Sequence, residues 1–346
     1  MRRQVGISLA VLVVACSLIY ALGTTLNYRR YSEDVVEELM YFPSGHLLEV
    51  ASVGYETLVA DLLWLRGIQY YGEHRRTDRS YPLAEHVFST ITDLDPRFVG
   101  AYRFGAFVLS QDVGQPVAGI GLLRKGMQNN PGRWQLPFDL GFLYFLEMSD
   151  HDRAAHFFRF ASWQEDAPEI ARRFSASAYR KAGKSAMAKA LWEEISRSSD
   201  NEVMKETAEY ALRSIVRDEV AESLAVRIER FRSSTGRLPQ RLSELVSAGL
   251  LRSIPPDPFG GEYFMDSQTG AVLSTSAIAE QAAHAKRYVE RLLKRYRSQE
   301  GDFPRLLSDL ERAGLVDSVP RVQGTRSVYD PWKGTVDYVL AGEGDE

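Results

Sequence analysis

Cysteine is almost absent from this sequence, since Cys16 is the only one in 346 residues. A single cysteine excludes an intrachain disulfide framework, a thiolate metal cluster and a cysteine pair for redox chemistry. A basic surplus is also missing, because the formal net charge is −4. General nucleic-acid binders normally carry excess positive charge, so we expect no nucleic-acid partner.

Recognisable catalytic motifs are missing as well. The glycine-bearing stretch 114–126 does not end in the lysine and threonine of a phosphate-binding loop. No serine, histidine and acid set occurs in a known catalytic pattern. His151 and His156 lie close to two aspartates, but they fall at a loop and a helix start, where exposed polar residues are expected. We therefore predict no enzymatic activity, no cofactor and no metal site.

The first 28 residues contain an uncharged apolar run. Residues 5–22 carry no charge, and as a helix they would be about 27 Å long, close to the hydrocarbon thickness of a bilayer. Arginines flank the run on both sides, so the positive-inside rule favours only weakly a short inner tail with the bulk of the chain on the extracytoplasmic side. Residues 1–28 are thus predicted to be a single-pass membrane anchor.

A second interpretation of this run concerns Cys16. The sequence from Val13 to Cys16 resembles a bacterial lipobox, in which the cysteine is lipidated after cleavage. The apolar run continues beyond Cys16 to Leu22, which favours the spanning helix. Either interpretation tethers the protein to a membrane.

Residues 29–60 are predicted to connect the anchor to the next domain. A short polar helix is expected over residues 31–41, and Phe42-Pro43 ends it. Ser44 can cap a further helix that packs onto the domain that follows. The apolar face of that helix comprises Leu47, Leu48, Val50, Ala51, Val53 and Leu58.

An internal repeat occupies the middle of the chain. The pattern Leu140-Gly141, Tyr144, Ala154, Phe158, Ala161 and Pro168 is matched 36 residues earlier by Phe104-Gly105, Val108, Ala118, Leu122, Lys125 and, one residue early, Pro131. Self-similarity at such a period marks a solenoid of helix hairpins that bury their apolar faces against one another.

This pattern resembles the tetratricopeptide repeat (TPR) family. The resemblance implies a solenoid over 61–217, with repeats at about 61–96, 97–131, 132–168 and 169–201 and a capping helix at 202–217. The first repeat is expected to have a longer loop around residues 74–76. Members of the family mostly bind other proteins, so the resemblance implies a protein partner and does not identify it.

The family's concave groove, formed by the first helix of each repeat, provides the candidate site. Carried over position by position, it comprises Trp64, Ile68, Tyr71, Tyr102, Leu109, Phe138, Phe142, Phe145, Arg173, Arg180 and Lys181. Aromatic residues and arginine are enriched at binding hot spots. The alternative is that the predicted helix at 47–58, or the C-terminal module, fills the aromatic end as core.

The C-terminal part contains a duplication. Pro239 and Pro304 are 65 residues apart, and the same offset relates one pair of glycines and one further pair of prolines. Asp257-Pro258 recurs 73 residues later as Asp330-Pro331, so the second copy holds about eight extra residues. We predict two small α+β modules, 218–278 and 279–346, each with a helix, a short helix, an Asp-Pro turn and a β-hairpin.

Each module resembles the C-terminal part of type II secretion major pseudopilins. The first copy matches their Gly-x-x-Pro, leucine-rich helix and Asp-Pro-aromatic-Gly pattern, whereas a prepilin cleavage motif and an acidic calcium loop are not recognisable. By analogy Asp257 and Asp330 would bind calcium. The simpler interpretation is that an aspartate before proline accepts backbone hydrogen bonds and shapes the turn.

The sequence therefore predicts a mostly α protein with one N-terminal transmembrane helix, a TPR-like α-solenoid and two small α+β pseudopilin-like modules. The expected function is that of a membrane-anchored scaffold or adaptor that binds another protein, within a bacterial secretion or type IV pilus-like assembly. An accessory subunit of a membrane-associated enzyme or transporter, and a structural spacer, are the alternatives.

Overall fold

The computed structural model describes residues 52–266 and 269–340. The predicted membrane anchor, and the predicted connecting segment up to residue 51, lie outside the described residues. The chain forms two compact units that divide between Ile195 and Ser196. None of the helices within the described ranges combines the length and apolar character needed to span a bilayer.

From residue 52 onward, the first unit is a series of helices that pair as four consecutive hairpins. A five-residue π-helix, Val108–Asp112, follows the third helix directly. The four hairpins follow the order of the four predicted repeats, although the first helix begins at Glu56, before the predicted start at about residue 61, so repeats of helix hairpins are confirmed. The helices are α1 Glu56–Arg76, α2 Ala84–Leu94, α3 Val99–Phe107, α4 Pro116–Asn129, α5 Gln135–Leu146, α6 His151–Ser162, α7 Ile170–Lys181 and α8 Ser185–Ser198.

The glycines of the repeat pattern allow close contact between helices. A Cβ atom on Gly141 would lie 2.7 Å from the ring of Phe158, which is fully buried in α6. A Cβ atom on Gly105 would lie 2.6 Å from the ring of Phe88 in α2. Because neither distance leaves room for a side chain, glycine at these positions lets an aromatic ring of an adjacent helix pack against the backbone.

The loop predicted around residues 74–76 is wrong in its position. Helix α1 continues to Arg76, and the connection to α2 occupies residues 77–83. His74 is buried and its ring lies 4.5 Å from that of Tyr70, so this turn belongs to the packed helix. Basic residues in the last turn also interact favourably with the helix dipole.

Over residues 196–266 and 269–340, the second unit contains four helices and two antiparallel strand pairs, β1 with β2 and β3 with β4. In these pairs Tyr263 lies opposite Ser274, and Asp330 opposite Thr335. The elements are α9 Glu202–Thr235, α10 Ser243–Ser247, β1 Tyr263–Met265, β2 Val272–Ser274, α11 Thr275–Glu300, α12 Ser308–Arg312, β3 Thr325–Asp330 and β4 Thr335–Leu340.

Helix α9 corrects the predicted boundary at residue 217. The expected capping helix, 202–217, continues without a break to Thr235. No glycine or proline interrupts this stretch, and Gly236 ends it with a left-handed φ of 77°. The capping helix and the first helix of the first module are therefore one helix of 34 residues.

Elements of the second unit recur at the 65-residue offset found in the sequence. Helices α10 and α12 are offset by 65 residues at both ends. Core residues at the same offset include Leu224 and Val289, Ile228 and Leu293, and Leu245 and Leu310. Each copy therefore builds its core from equivalent positions.

The two hairpins differ in how they use the Asp-Pro turn. In the first copy the turn at Asp257 precedes the hairpin β1–β2, whereas in the second copy the turn at Asp330 connects β3 to β4. The additional strand β3 lies within the longer connection of the second copy. The expectation of one shared hairpin plan is therefore wrong in this detail.

Candidate protein-binding surface

A cavity of about 440 Å³ lies between the first helices of the second and third repeats, α3 and α5. Leu123 of α4 contributes to the lining as well. The lining consists mainly of apolar side chains, as is typical of sites that receive an apolar group. The lining residues are Arg103, Phe104, Ala106, Phe107, Gln111, Leu123, Asp139, Phe142, Leu143 and Leu146.

Two apolar side chains of this lining are exposed to solvent. Phe107 is 51 % exposed and Leu146 is 61 % exposed. Leu143, by contrast, is buried in the same lining. A cavity with a buried apolar base and exposed apolar residues around it can take up an apolar side chain from a partner.

An ion pair spans the cavity between the two helices. Arg103 and Asp139 occupy equivalent places, 36 residues apart, and Nε of Arg103 donates to Oδ2 of Asp139 at 2.5 Å while Nη2 donates to Oδ1 at 3.3 Å. Burial raises the pKa of the Asp139 carboxyl, against the hydrogen bond and positive charge of Arg103. The bidentate geometry holds the guanidinium beside the apolar lining.

The π-helix shapes one end of this cavity. Its wider turn brings Gln111 to the side chain of Glu147, which accepts a hydrogen bond from Nε2 of Gln111. The next residue, Asp112, accepts a hydrogen bond of 2.9 Å from the hydroxyl of Tyr71 in the first repeat. Single π-helical turns are rare and often accompany functional sites.

The aromatic residues predicted for the third repeat pack together. Phe138 and Phe142 are half-buried, and their ring centroids lie 5.5 and 5.1 Å from that of Phe158. Phe174 of α7 joins the cluster at 4.9 Å from Phe142. Of the two half-buried rings, only Phe142 also lines the cavity.

The prediction that Tyr102 and Leu109 line the groove is wrong. Tyr102 is fully buried, and its hydroxyl donates to the carbonyl oxygen of Thr92 at 3.3 Å. Leu109 is also buried, within the π-helix. The family register places both on the open face, but the second repeat turns them into the core.

The predicted groove residues of the first repeat differ from one another in their exposure to solvent. Tyr71 is buried, whereas Ile68 is 40 % exposed. Trp64 is half-buried and lies 5.1 Å from Phe98 and 5.5 Å from Phe104, measured between ring centroids. Of these three residues, Ile68 therefore has the most exposed side chain.

The cationic end of the predicted groove lies on α7. Nζ of Lys181 lies 4.6 Å from the ring centroid of Phe145, and the guanidinium of Arg173 lies 5.5 Å from that of Phe174. Arg180 is half-buried in the same helix. The structure thus places cations against the aromatic rings of the third and fourth repeats.

The histidines and the Asp-Pro aspartates take part in local contacts. The hydroxyl of Tyr179 lies 3.2 Å from Nδ1 of His156. Asp257 accepts a hydrogen bond of 2.7 Å from the backbone N–H of Phe259, and Asp330 accepts one of 2.9 Å from that of Trp332. Both aspartates thus shape their turns as expected. Within the described ranges, no group of three or more histidine, cysteine, aspartate or glutamate residues is arranged to hold a metal ion.

Several residues of the cavity could not be predicted from the sequence. Phe107 and Leu146 lie outside the family's groove positions, and the π-helix has no clear signature in the sequence. One signal was present, because Arg103 and Asp139 carry opposite charges at the repeat distance of 36 residues.

No family model and no curated protein sequence matches this chain. Among solved structures, a thermophilic TPR protein of Thermus thermophilus is 18 % identical, and the match covers 48 % of this chain and 94 % of that chain, with a TM-score of 0.30. Because this TM-score is low, the assignment of helical repeats rests on the hairpins and on the glycine contacts within them.

Proposed function

We propose that this protein is a membrane-anchored scaffold that binds a partner protein in the cavity between α3 and α5. The observation that carries the proposal is the cavity of about 440 Å³ with Phe107 and Leu146 exposed beside it. The cavity would receive an apolar side chain of the partner, and the ion pair of Arg103 and Asp139 would contact the partner's polar groups. In this proposal the chain works by binding and is not an enzyme.

The membrane part of the proposal is supported by the sequence alone. Residues 5–22 would span the bilayer, and the repeats and the duplicated modules would lie on the extracytoplasmic side. The resemblance of the modules to pseudopilins supports a place in a secretion or type IV pilus-like assembly. Intact-mass measurement of protein extracted from membranes tests the anchor, because a chain that begins at a lipidated Cys16 contradicts it.

Site-specific photocrosslinking tests the binding site. A photoreactive residue at position 146 of the full chain, in its native membrane, should give a crosslinked partner that a residue at position 117 does not give. Val117 is the matched control, since it is an exposed apolar residue of α4 that does not line the cavity.

The identified partner then allows a quantitative measurement. Leu146→Asp should weaken binding of the purified partner about tenfold or more, because a carboxylate replaces an apolar contact, whereas Val117→Asp should not. Equal binding by both variants would show that the cavity is not the binding site.

A further inference from the structure

A cavity of about 610 Å³ lies in the second copy of the duplicated module, and we call it the Trp332 cavity. Its apolar wall is formed by two aromatic rings and a proline. Arg297 and Arg305 contribute two guanidinium groups, against the single carboxylate of Asp302. The lining residues are Arg297, Asp302, Phe303, Arg305, Pro331 and Trp332. The cavity therefore combines apolar surface with an excess of positive charge.

Trp332 is 93 % exposed, although the turn that carries it is held firmly. The backbone N–H groups of Trp332 and Lys333 donate to Oδ1 of Asp330 at 2.9 and 3.2 Å. Gly334 has a left-handed φ of 64°, and a Cβ atom added to it would overlap the ring of Phe303. The turn is therefore fixed at both ends, and it presents a large indole ring to the solvent.

A hydrogen bond connects this turn to the opposite wall of the cavity. The hydroxyl of Tyr329, in the strand β3 that leads into the turn, donates to the carbonyl oxygen of Pro304 at 2.7 Å. Pro304 immediately precedes Arg305. The guanidinium of Arg297 lies 4.9 Å from the ring centroid of Phe303. The walls are thus preorganised, which lowers the entropic cost of binding a ligand between them.

The first copy shows how the equivalent aromatic position is covered. One aromatic and two cationic side chains of α9 contact the ring of Phe259, and they are Tyr210, Arg213 and Arg217. The residues 65 positions later, in α11, are Thr275, Ile278 and Ala282. None of these is aromatic or cationic, so α11 does not give Trp332 the cover that α9 gives Phe259.

The charges around the Trp332 cavity favour an acidic ligand. Arg305 is exposed, and its side chain makes no hydrogen bond or ion pair with the part of the chain that the structure describes. Lys294 is also exposed, one turn before Arg297 on the same face of α11. A cationic cover like that of Phe259 would bring like charges together here. A carboxylate would instead form charge-assisted hydrogen bonds with the guanidinium groups.

We propose that the Trp332 cavity binds an acidic segment of a partner protein. An apolar side chain of this segment packs against Trp332 and Phe303, and its carboxylates pair with Arg297 and Arg305. Tryptophan and arginine are the residues most enriched at binding hot spots. This surface belongs to the second unit and acts in addition to the cavity between α3 and α5.

A peptide of stated chemistry tests the proposal on the full chain, purified in detergent. The probe is a fluorescently labelled peptide with two glutamates on each side of a phenylalanine, and anisotropy measures its binding. This peptide should bind, and added salt should weaken the binding because the charges are exposed. Versions with glutamine for glutamate, or glycine for phenylalanine, should bind about tenfold more weakly or not at all. No binding by the acidic peptide would overturn the proposal.

Matched variants locate the site. Trp332→Ala and Arg305→Gln should each weaken peptide binding about fivefold or more, and neither should change the melting temperature, since both side chains are exposed. Val328→Ala, at a 49 % exposed position of the same hairpin, and Arg321→Gln, at another exposed arginine, should bind as the unmodified protein does. Equal losses in all four variants would contradict a site at Trp332.

Two further outcomes would assign a different occupant. Self-association that Trp332→Ala abolishes would show that a second copy covers the cavity. In nanodiscs, a dye on Lys333→Cys in a Cys16→Ser background should be quenched equally from the aqueous phase with and without phosphatidylserine. Protection by phosphatidylserine would mean that an anionic membrane surface covers the turn, and the proposal would be wrong. Leu146→Asp should bind the peptide normally, so this test is independent of the site in the first unit.

Discussion

Phe259 and Trp332 are equivalent residues of the two copies, 73 positions apart, but only Phe259 is covered. Its ring centroid lies 5.1 Å from that of Tyr210, and the guanidinium groups of Arg213 and Arg217 each lie 5.0 Å from it. Trp332 is 93 % exposed. The N-terminal half of α9 therefore gives the first copy a contact that the second copy does not have.

Substitution of these two residues should give unequal effects. Phe259→Ala should destabilise the second unit by about 2 kcal/mol, because a half-buried ring and its cation contacts are lost. Trp332→Ala should change the stability by less than about 0.5 kcal/mol. Hydrogen–deuterium exchange of peptides from α9 and β1 measures the effect locally, which is necessary in a chain of two compact units. Equal protection in the two variants would contradict the packing described for Phe259.

The repeat glycines lead to a second prediction. Gly141→Ala should destabilise the first unit by about 1–3 kcal/mol, because the new Cβ atom would lie 2.7 Å from the ring of Phe158. Gly121→Ala is the matched control, since it lies within α4 and no atom lies within 4 Å of a Cβ added there. It should stabilise α4 by about 0.5–1 kcal/mol. Chemical denaturation followed by hydrogen exchange in α5 and α6 shows whether each variant is destabilised or stabilised.

Much of this architecture could be predicted from the sequence, because residues that recur at a fixed spacing indicate it. The spacing of Gly105, Gly141 and Phe158 marks the hairpins, since only glycine permits their close contact. The 65-residue offset likewise marks the duplication, because Leu245 and Leu310 fill equivalent places in two separate cores.

The remaining features depend on contacts that no local pattern records. The wider turn of the π-helix at Val108–Asp112 directs Leu109 into the core instead of the predicted groove. The apolar pattern changes near residue 217 and therefore predicts a boundary there, although α9 continues through it. The cavity itself is lined by residues of α3, α4, α5 and the π-helix, and the identities of these side chains alone do not show that they come together.

Acid sensitivity of the second unit forms the third prediction. The buried Asp257 accepts hydrogen bonds from Oγ of Ser276 at 2.7 Å and from Ser274, and Glu280 accepts one from Nη2 of Arg217 at 3.0 Å. Burial opposes ionisation of both carboxyls, but their hydrogen bonds, including one from the N–H of Phe259 to Asp257 and one from Tyr210 to Glu280, and the charge of Arg217 outweigh it and lower the pKa of each. A lowered pKa in the folded state stabilises the protein above the unfolded pKa of about 4, and this contribution is lost as the pH falls through the folded value.

Asp257→Asn should therefore destabilise the protein at pH 7, and the difference from the unmodified protein should shrink towards pH 3. Urea unfolding at pH 7, 5 and 3 measures this dependence. Asp317→Asn, at an exposed position, should give a curve parallel to that of the unmodified protein. A difference for Asp257→Asn that stays constant across this range would show that the charge of Asp257 has no part in the stability.

The last prediction separates packing from binding at the cavity. Phe158 is fully buried among other rings, so Phe158→Ala should cost about 3 kcal/mol or more of stability. Phe138→Ala should also destabilise, because this half-buried ring lies 5.5 Å from Phe158. Leu146→Ala and Phe107→Ala should leave the stability nearly unchanged and weaken partner binding by about 2 kcal/mol if either side chain is an anchor.

Thermal melts and binding measurements on the same four variants make this comparison. A loss of stability for Leu146→Ala as large as that for Phe158→Ala would mean that the exposed leucine belongs to the core. Full partner binding by both Leu146→Ala and Phe107→Ala would leave the cavity without an anchor residue, since these two carry its large exposed apolar side chains. The proposed binding site between α3 and α5 would then be wrong, although the helical repeats that form it would stand.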